Sequence, residues 1–323
     1  MRLGVSVYWR GARIDATREI AQEADRLGFD YLWITEAWGM EALSTIGYLF
    51  GITKKIKIGP GVLNVFSRSA ALIGMAAATF DQMAPGRFVL GLGASGRILV
   101  ESWHRMKFER PLERTREYIE IIRKVSLGEP IEPSRFKLYT TPSRESPEIY
   151  LGAIGERNLR LAGEIADGAI VTMYPISRLS NALDLVNEES HEGRRRKKIF
   201  AYLPAMVTES EQERISAKSE VARNIAFYVA SMGSYYAKNL SRLGFGESVE
   251  KIQKAYSTRG SKGASEAVDD ALIDELSLIG TSDEIRKKLS RAVSTSEEII
   301  PVLGLDASRL GAAHLETLFR SLK

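Results

Sequence analysis

Residues 58–96 read IGPGVLNVFSRSAALIGMAAATFDQMAPGRFVLGLGASG. The order is strand, Gly-rich turn, helix, turn, strand, Gly-rich turn, which is the pattern of a βαβ unit. The two Gly-rich turns follow the ends of two successive strands. In a parallel α/β protein that edge holds the ligand site. Both turns are built of small residues, so the backbone there can approach a flat or anionic ligand closely.

The same rhythm runs outward in both directions. Upstream, Leu3–Tyr8 and Tyr31–Ile34 are short apolar runs, while Thr17–Leu27 and Met40–Phe50 carry helical periodicity. Ile56–Gly59 and Phe88–Leu92 are the strands that flank the Ala-rich helix Ala70–Met83. Pro111 opens a helix to about Val125. Glu129–Pro147, with four prolines, is a long connection. Strands then return at Ile149–Leu151, Ala169–Thr172 and Ile199–Val207, with helices Arg157–Ala166 and Ser177–Ser190 between them. From Glu211 to Asp274 the sequence is almost wholly helical and too long for one crossover, so about 211–275 is a helical insertion. A capped helix starts at Thr281-Ser282-Asp283-Glu284, and Glu298–Leu303 is an eighth strand. Eight strands, each followed by a helix, predict an α/β fold. It is a (β/α)8 TIM barrel, one domain over 1–323, with a helical insertion after strand seven.

The bulk properties exclude several classes. The chain has 323 residues, 44% hydrophobic and 27% charged, which is enough to bury a large core. The net charge of +4 is spread along the chain. Its densest basic run, Arg194–Lys198, reads as a solvated loop and lacks the interleaved aromatics of a nucleic-acid surface. There is no cysteine, which removes disulfide and thiolate chemistry and fits a reducing cytoplasm, or a hot habitat where thermolabile residues are scarce. No apolar run reaches membrane-spanning length, and MRLGVSVYW at the N-terminus lacks a signal-peptide pattern. The expectation is a cytoplasmic protein acting on a small molecule, with no nucleic-acid or membrane partner.

In such a barrel the loops after the strands make the site. Those loops hold Tyr8, Trp9 and Arg10, then Thr35, Glu36, Ala37 and Trp38, then Gly61, Val62, Asn64 and Ser67. Gly93, Ser95 and Gly96 follow strand four, with Glu101, Trp103 and His104 beyond; Gly152, Ala153, Gly155 and Thr172 follow strands five and six. His104, His191 and His314 are the only histidines, and no two have metal-ligand spacing, so no metal site or Ser-His-Asp triad is expected. Backbone amides between aromatic walls suit a planar cofactor that does its own chemistry. Blander readings stand beside this one. Glu36 could cap the next helix, Trp9, Trp38 and Trp103 could be packing, and His104 taken alone is structural. Tyr228, Met232, Tyr235 and Tyr236 of the insertion fit a pocket cover, a dimer face or ordinary packing.

The segments WITEAWG at 33–39, GPGVLNVFSRS at 59–69 and GRFVLGLGASG at 86–96 resemble the bacterial-luciferase-like superfamily. So do ESWHRMKF at 101–108, PLERTREYIEIIRK at 111–124, EIYLGAIGERNLRLAGEIADG at 148–168 and LIGTSDEIRKKL at 278–289. More narrowly the chain is similar to the coenzyme F420-dependent reductases, the branch that includes methylenetetrahydromethanopterin reductase. The resemblance implies a homodimeric barrel oxidoreductase that moves hydride between a deazaflavin and a small organic or pterin substrate. The alternative in the same superfamily is a monooxygenase using FMN supplied by a separate flavin reductase. A non-prolyl cis peptide would fall at Gly61-Val62, under the cofactor ring. Glu36 would meet the polar edge of the ring, Asn64, Gly93 and Ser95 would line ring and ribityl chain, and Gly152, Ala153, Gly155 and Thr172 would lie near the ribityl-phosphate. Two positions depart from relatives: Ala37 stands where some carry a catalytic histidine, and Gly96 where some carry an acid. Glu36, Glu101 and His104 are therefore the candidate catalytic residues.

Overall fold

The computed structural model describes residues 1–188, 196–293, 296–305 and 312–322. Ten strands run through them: β1 (Gly4–Val7), β2 (Tyr31–Ile34), β3 (Lys57–Pro60), β4 (Leu63–Asn64), β5 (Val89–Gly93), β6 (Glu148–Gly152), β7 (Gly168–Thr172), β8 (Lys198–Val207), β9 (Leu278–Gly280) and β10 (Ile299–Leu305). They lie in the order β3-β2-β1-β10-β8-β7-β6-β5-β4, with β9 added to the end of β8. Every pairing between these strands is parallel. β3 and β4 are two halves of one interrupted strand. Ile58 bridges Phe88 and Leu63 pairs with Leu92, so both halves meet the same neighbour and the ring closes. The barrel thus has the eight expected strand positions. The interruption contains a cis peptide between Gly61 and Val62, as the resemblance implied.

The strands form because both of their faces are covered, which favours unbroken apolar runs such as the fully buried YLWI of β2. Outward-facing aliphatics pack against the helix ring. Inward-facing Tyr31, Trp33, Tyr150 and Phe200 fill the barrel. Trp33 and Tyr150 meet Phe200 edge-on, at centroid separations of 4.9 and 4.7 Å. That plug closes the lower barrel and leaves a hollow only above it, at the C-terminal ends of the strands.

At the opposite end the Lys198 side chain is 7% exposed. Its Nζ lies 3.5 Å from Glu148, which also pairs with Lys57 at 3.2 Å and accepts from the Tyr150 hydroxyl at 2.5 Å. Burial would push the Glu148 carboxyl up. The Tyr150 hydroxyl and the two ammonium groups outweigh it and hold Glu148 below its ordinary value.

The long helical stretch is divided where glycines adopt left-handed backbone. Helix Glu211–Ala230 starts at a Ser210/Glu213 capping box, and Gly233 (φ 80°) separates it from Tyr235–Leu240. Gly244 (φ 105°) precedes Gly246–Glu266, and Asp270–Leu276 completes the stretch. Sequence reading missed β9 and the short helix Arg97–Ser102. It also made one helix of 177–190, where a 3₁₀ turn at Ile176–Arg178 leads into Leu179–Asn187. Ser190, His191, Arg194 and Arg195 lie outside the described residues. Among the described residues no helix is long and apolar enough to cross a membrane.

Candidate functional site

A cavity of about 1670 Å³ opens at the C-terminal ends of the strands. Glu36, Gly61, Val62, Asn64, Gly93, Ser95, Gly152, Ala153, Gly155, Thr172 and His104 all line it. Glu101 does not. Its exposed carboxylate pairs with Arg97 one turn back, at 2.6 Å, and accepts from the Phe108 amide at 3.4 Å. Trp103 is 61% exposed and also lies off the cavity, whereas Trp9 and Trp38 form a tilted pair on its wall, with centroids 4.1 Å apart.

Glycines shape the floor. A Cβ at Gly93 would stand 3.0 Å from Val62 Cγ2, and one at Gly152 would stand 3.4 Å from Val62 Cγ1. Their absence lets Val62 lie across the ends of β5 and β6, so the floor is a low apolar shelf. At Gly61 the Cβ position is 1.9 Å from Tyr202 Oη and 3.2 Å from Trp33 Cβ, so a side chain there has no room. The Tyr202 oxygen is buried and has no hydrogen-bond partner among the described residues; burial pushes its pKa well up, so the phenol stays protonated. Asn64 is 7% exposed. Its Oδ1 accepts from the Phe66 amide at 2.9 Å, while Nδ2, at the cavity edge, is without a partner among the described residues. A buried amide donor left unpaired costs roughly 1–3 kcal/mol, so a ligand acceptor there would recover it. Ser95 (φ 60°) and Met173 (φ 52°) hold left-handed backbone just beyond β5 and β7, a conformation that concentrates at ligand sites.

Glu36 is not a free acid. Arg68 grips it in a fork, Nη1 to Oε1 at 2.7 Å and Nη2 to Oε2 at 2.8 Å, and the Ala42 amide donates to Oε2 at 2.9 Å. The helix-capping reading of Glu36 therefore holds alongside its place on the cavity wall. Arg68 also reaches Glu41, the N-cap of the helix Ala42–Phe50. Both side chains of the fork are only 12–14% exposed. Replacing Arg68 by Met leaves Glu36 half-satisfied, and we expect a loss of about 2 kcal/mol by denaturant unfolding. The double variant E36Q/R68M should lose less than R68M alone, because it leaves no buried charge at position 36, while the more exposed Glu41 keeps its amide partners.

The roof comes from the insertion. Tyr228, Met232, Tyr235 and Tyr236 all face the cavity, so they cover it. Arg10 lies between the Trp9 and Phe227 rings, 5.0 and 4.0 Å from their centroids, and links barrel to roof. Arg68, Tyr202 and Phe227 were not singled out from sequence. Arg68 stood inside GPGVLNVFSRS, but nothing local showed that it would fold back onto Glu36. Among the described residues no group of three or more His, Asp or Glu is placed to hold a metal ion.

A parallel barrel with a glycine-shelved cavity at its strand ends, walled in part by aromatic side chains, has the architecture of a barrel enzyme. The sequence model of the luciferase-like monooxygenase family matches residues 1–296, and the chain belongs to that family and is an oxidoreductase. It is 29% identical to a putative coenzyme F420-dependent oxidoreductase of Mycobacterium tuberculosis, over 90% of this chain and 91% of that one. It is also 29% identical to the 5,10-methylenetetrahydromethanopterin reductase of Archaeoglobus fulgidus, over 83% and 82%. In structure it matches the coenzyme F420-dependent tetrahydromethanopterin reductase of Methanopyrus kandleri over the whole of both chains, with a TM-score of 0.79 at 22% identity.

Proposed function

We propose that the chain is a coenzyme F420-dependent oxidoreductase that moves hydride between the deazaflavin and a small organic substrate, with a methylene-pterin as the leading candidate. The observation that carries this reading is the floor: Val62 lies flat over Gly93 and Gly152, beside the unpaired Asn64 Nδ2. A flat ring fits the shelf, and its polar edge supplies the acceptor that Asn64 lacks. The two similar sequences at 29% identity, one named for coenzyme F420, support the choice of deazaflavin.

When bound, a reduced deazaflavin supplies a hydride and reacts poorly with dioxygen. The chain's own residues then bind and orient. Gly61, Val62, Gly93 and Ser95 fix the plane of the ring. Asn64 fixes its rotation. Gly152, Ala153, Gly155 and Thr172 receive the ribityl-phosphate beside the start of the helix Glu156–Ile165. Glu36 acts through Arg68 and Ala42 by holding the wall in place. Of the three candidates named from the sequence, His104 is the one on the cavity wall not held by an arginine, since Glu36 is held by Arg68 and Glu101 is turned to Arg97, and it is the residue proposed to carry a proton. The roof tyrosines exclude water.

Titrating the purified protein with coenzyme F420 should quench or shift the deazaflavin fluorescence with a dissociation constant in the micromolar range or below, and FMN should bind more weakly. Absence of F420 binding, with FMN retained and oxygen consumed when a flavin reductase is added, would overturn this reading in favour of an FMN-dependent monooxygenase.

A further inference from the structure

The cavity of about 1670 Å³ exceeds the roughly 300–1,000 Å³ that one small ligand fills, so it has room for two ligands side by side. Its two ends differ. At the β6 end the wall is Gly152, Ala153 and Gly155, all small. In the strand ring β1 stands opposite: β10, β8 and β7 lie between it and β6 on one side, and β2, the interrupted β3/β4 strand and β5 on the other. The loops after β1 and β2 bring Trp9, Arg10 and Trp38 to that far end. A Cβ at Gly39 would stand 2.7 Å from the Trp9 carbonyl oxygen, so glycine there lets the two loops close on each other and pairs the indoles at 4.1 Å.

The far end is aromatic and open. Trp38 is 39% exposed on the cavity wall, whereas Trp33, five residues earlier and given over to packing, is 0% exposed. Phe227, on the roof helix Glu211–Ala230, comes to the same rim, because the Arg10 guanidinium lies over its ring at 4.0 Å and beside Trp9 at 5.0 Å. Glu220, Arg223 and Asn224 line the cavity within two turns before Phe227 on that helix. The wall next to the rings therefore carries hydrogen-bond donors, an acceptor and both signs of charge. Flat aromatic faces beside such a wall suit a ring with amide-like edges. They give an aliphatic chain or a lone anion nothing comparable to hold.

We propose that Trp9, Trp38 and Phe227 form the substrate-selecting end of the cavity, and that the substrate is a flat conjugated heterocycle with amide-type edges, not an aliphatic alcohol or ketone. The inference rests on the deazaflavin reading above, in which the coenzyme takes the shelf over Gly93 and Gly152 and leaves the aromatic end to its reaction partner.

The test uses the whole protein and calorimetric titration, first with coenzyme F420 alone and then, with the coenzyme saturating, with pterin, 2-naphthol or cyclohexanone. Pterin should bind the loaded protein about tenfold or more tighter than cyclohexanone, with 2-naphthol, flat but without amide edges, between them. W38A and F227A should each weaken pterin about tenfold or more. Coenzyme affinity should stay within about twofold of wild type, and W38F and F227Y should keep most of the pterin binding. The two positions sit on separate elements, so misfolding of one variant leaves the other to decide. If pterin displaces the coenzyme, it occupies the shelf, and the assignment of the aromatic end is overturned while the deazaflavin reading stands. Equal affinity for pterin and cyclohexanone, or wild-type pterin binding in both alanine variants, overturns it in the same way. 2-Naphthol bound as tightly as pterin overturns the requirement for amide edges. If coenzyme F420 does not bind at all, the deazaflavin reading itself fails and takes this one with it.

Discussion

Gly61→Ala should cost about 3 kcal/mol of stability and weaken deazaflavin binding about tenfold or more, measured by urea unfolding and fluorescence titration. The cause is local. The new methyl would stand 1.9 Å from Tyr202 Oη in a floor that is already packed against Trp33. Tyr202 cannot swing away without disturbing a strand paired on both sides, with Thr172 at one edge and Val302 at the other. The companion experiment is Tyr202→Phe. Removing the hydroxyl takes away the nearest clash and leaves the Cζ contact at 3.1 Å, so the double variant should recover part of the stability lost in Gly61→Ala. Strict additivity of the two substitutions would show that the methyl does not meet Tyr202 and would sink this account of the floor.

The second large effect lies at the other end of the barrel. Glu148→Gln should destabilise the protein by about 3 kcal/mol at neutral pH, because it removes the carboxylate that faces the buried Lys198 ammonium. The sign of the pH dependence is fixed by the direction of the shift. The folded carboxyl titrates below its unfolded value, so its contribution is fully present above the unfolded value of about 4.3 and is lost as pH falls through the folded one. The difference between wild type and E148Q should therefore close in acid. K198M combined with E148Q should restore part of the loss, since it removes the buried ammonium that faced this carboxylate. A difference that persists unchanged at pH 3 would place the effect outside this ion pair.

Much of the barrel was legible in the sequence because its signals are local. Unbroken apolar runs such as YLWI, glycine stops and the proline at 111 each act within a few residues, and they set the alternation correctly. The cavity residues were legible for the same reason: loops after parallel strands converge on one edge whatever their sequence. What failed was tertiary. Glu101 sits beside the site in sequence, but a four-residue spacing on a helix hands it to Arg97 before it can face the cavity. Glu36 was read as a helix cap or a catalytic candidate, and its ion pair was missed because Arg68, 32 positions away, is not visible as its partner until β2 and the loop after β4 are side by side. β9 was missed because three residues carry no periodicity, and only the overhang of β8 beyond its neighbours gives them an edge to join.

The roof has an interior of its own. Val221, Ile225, Leu240, Ile252 and Leu272 pack together in a cluster separate from the one beneath the barrel helices. The upper wall can therefore change its side chains, or its helix lengths, without loosening the strands that carry the cavity floor. Descendants of one scaffold could in this way reshape the cavity roof while keeping the same floor.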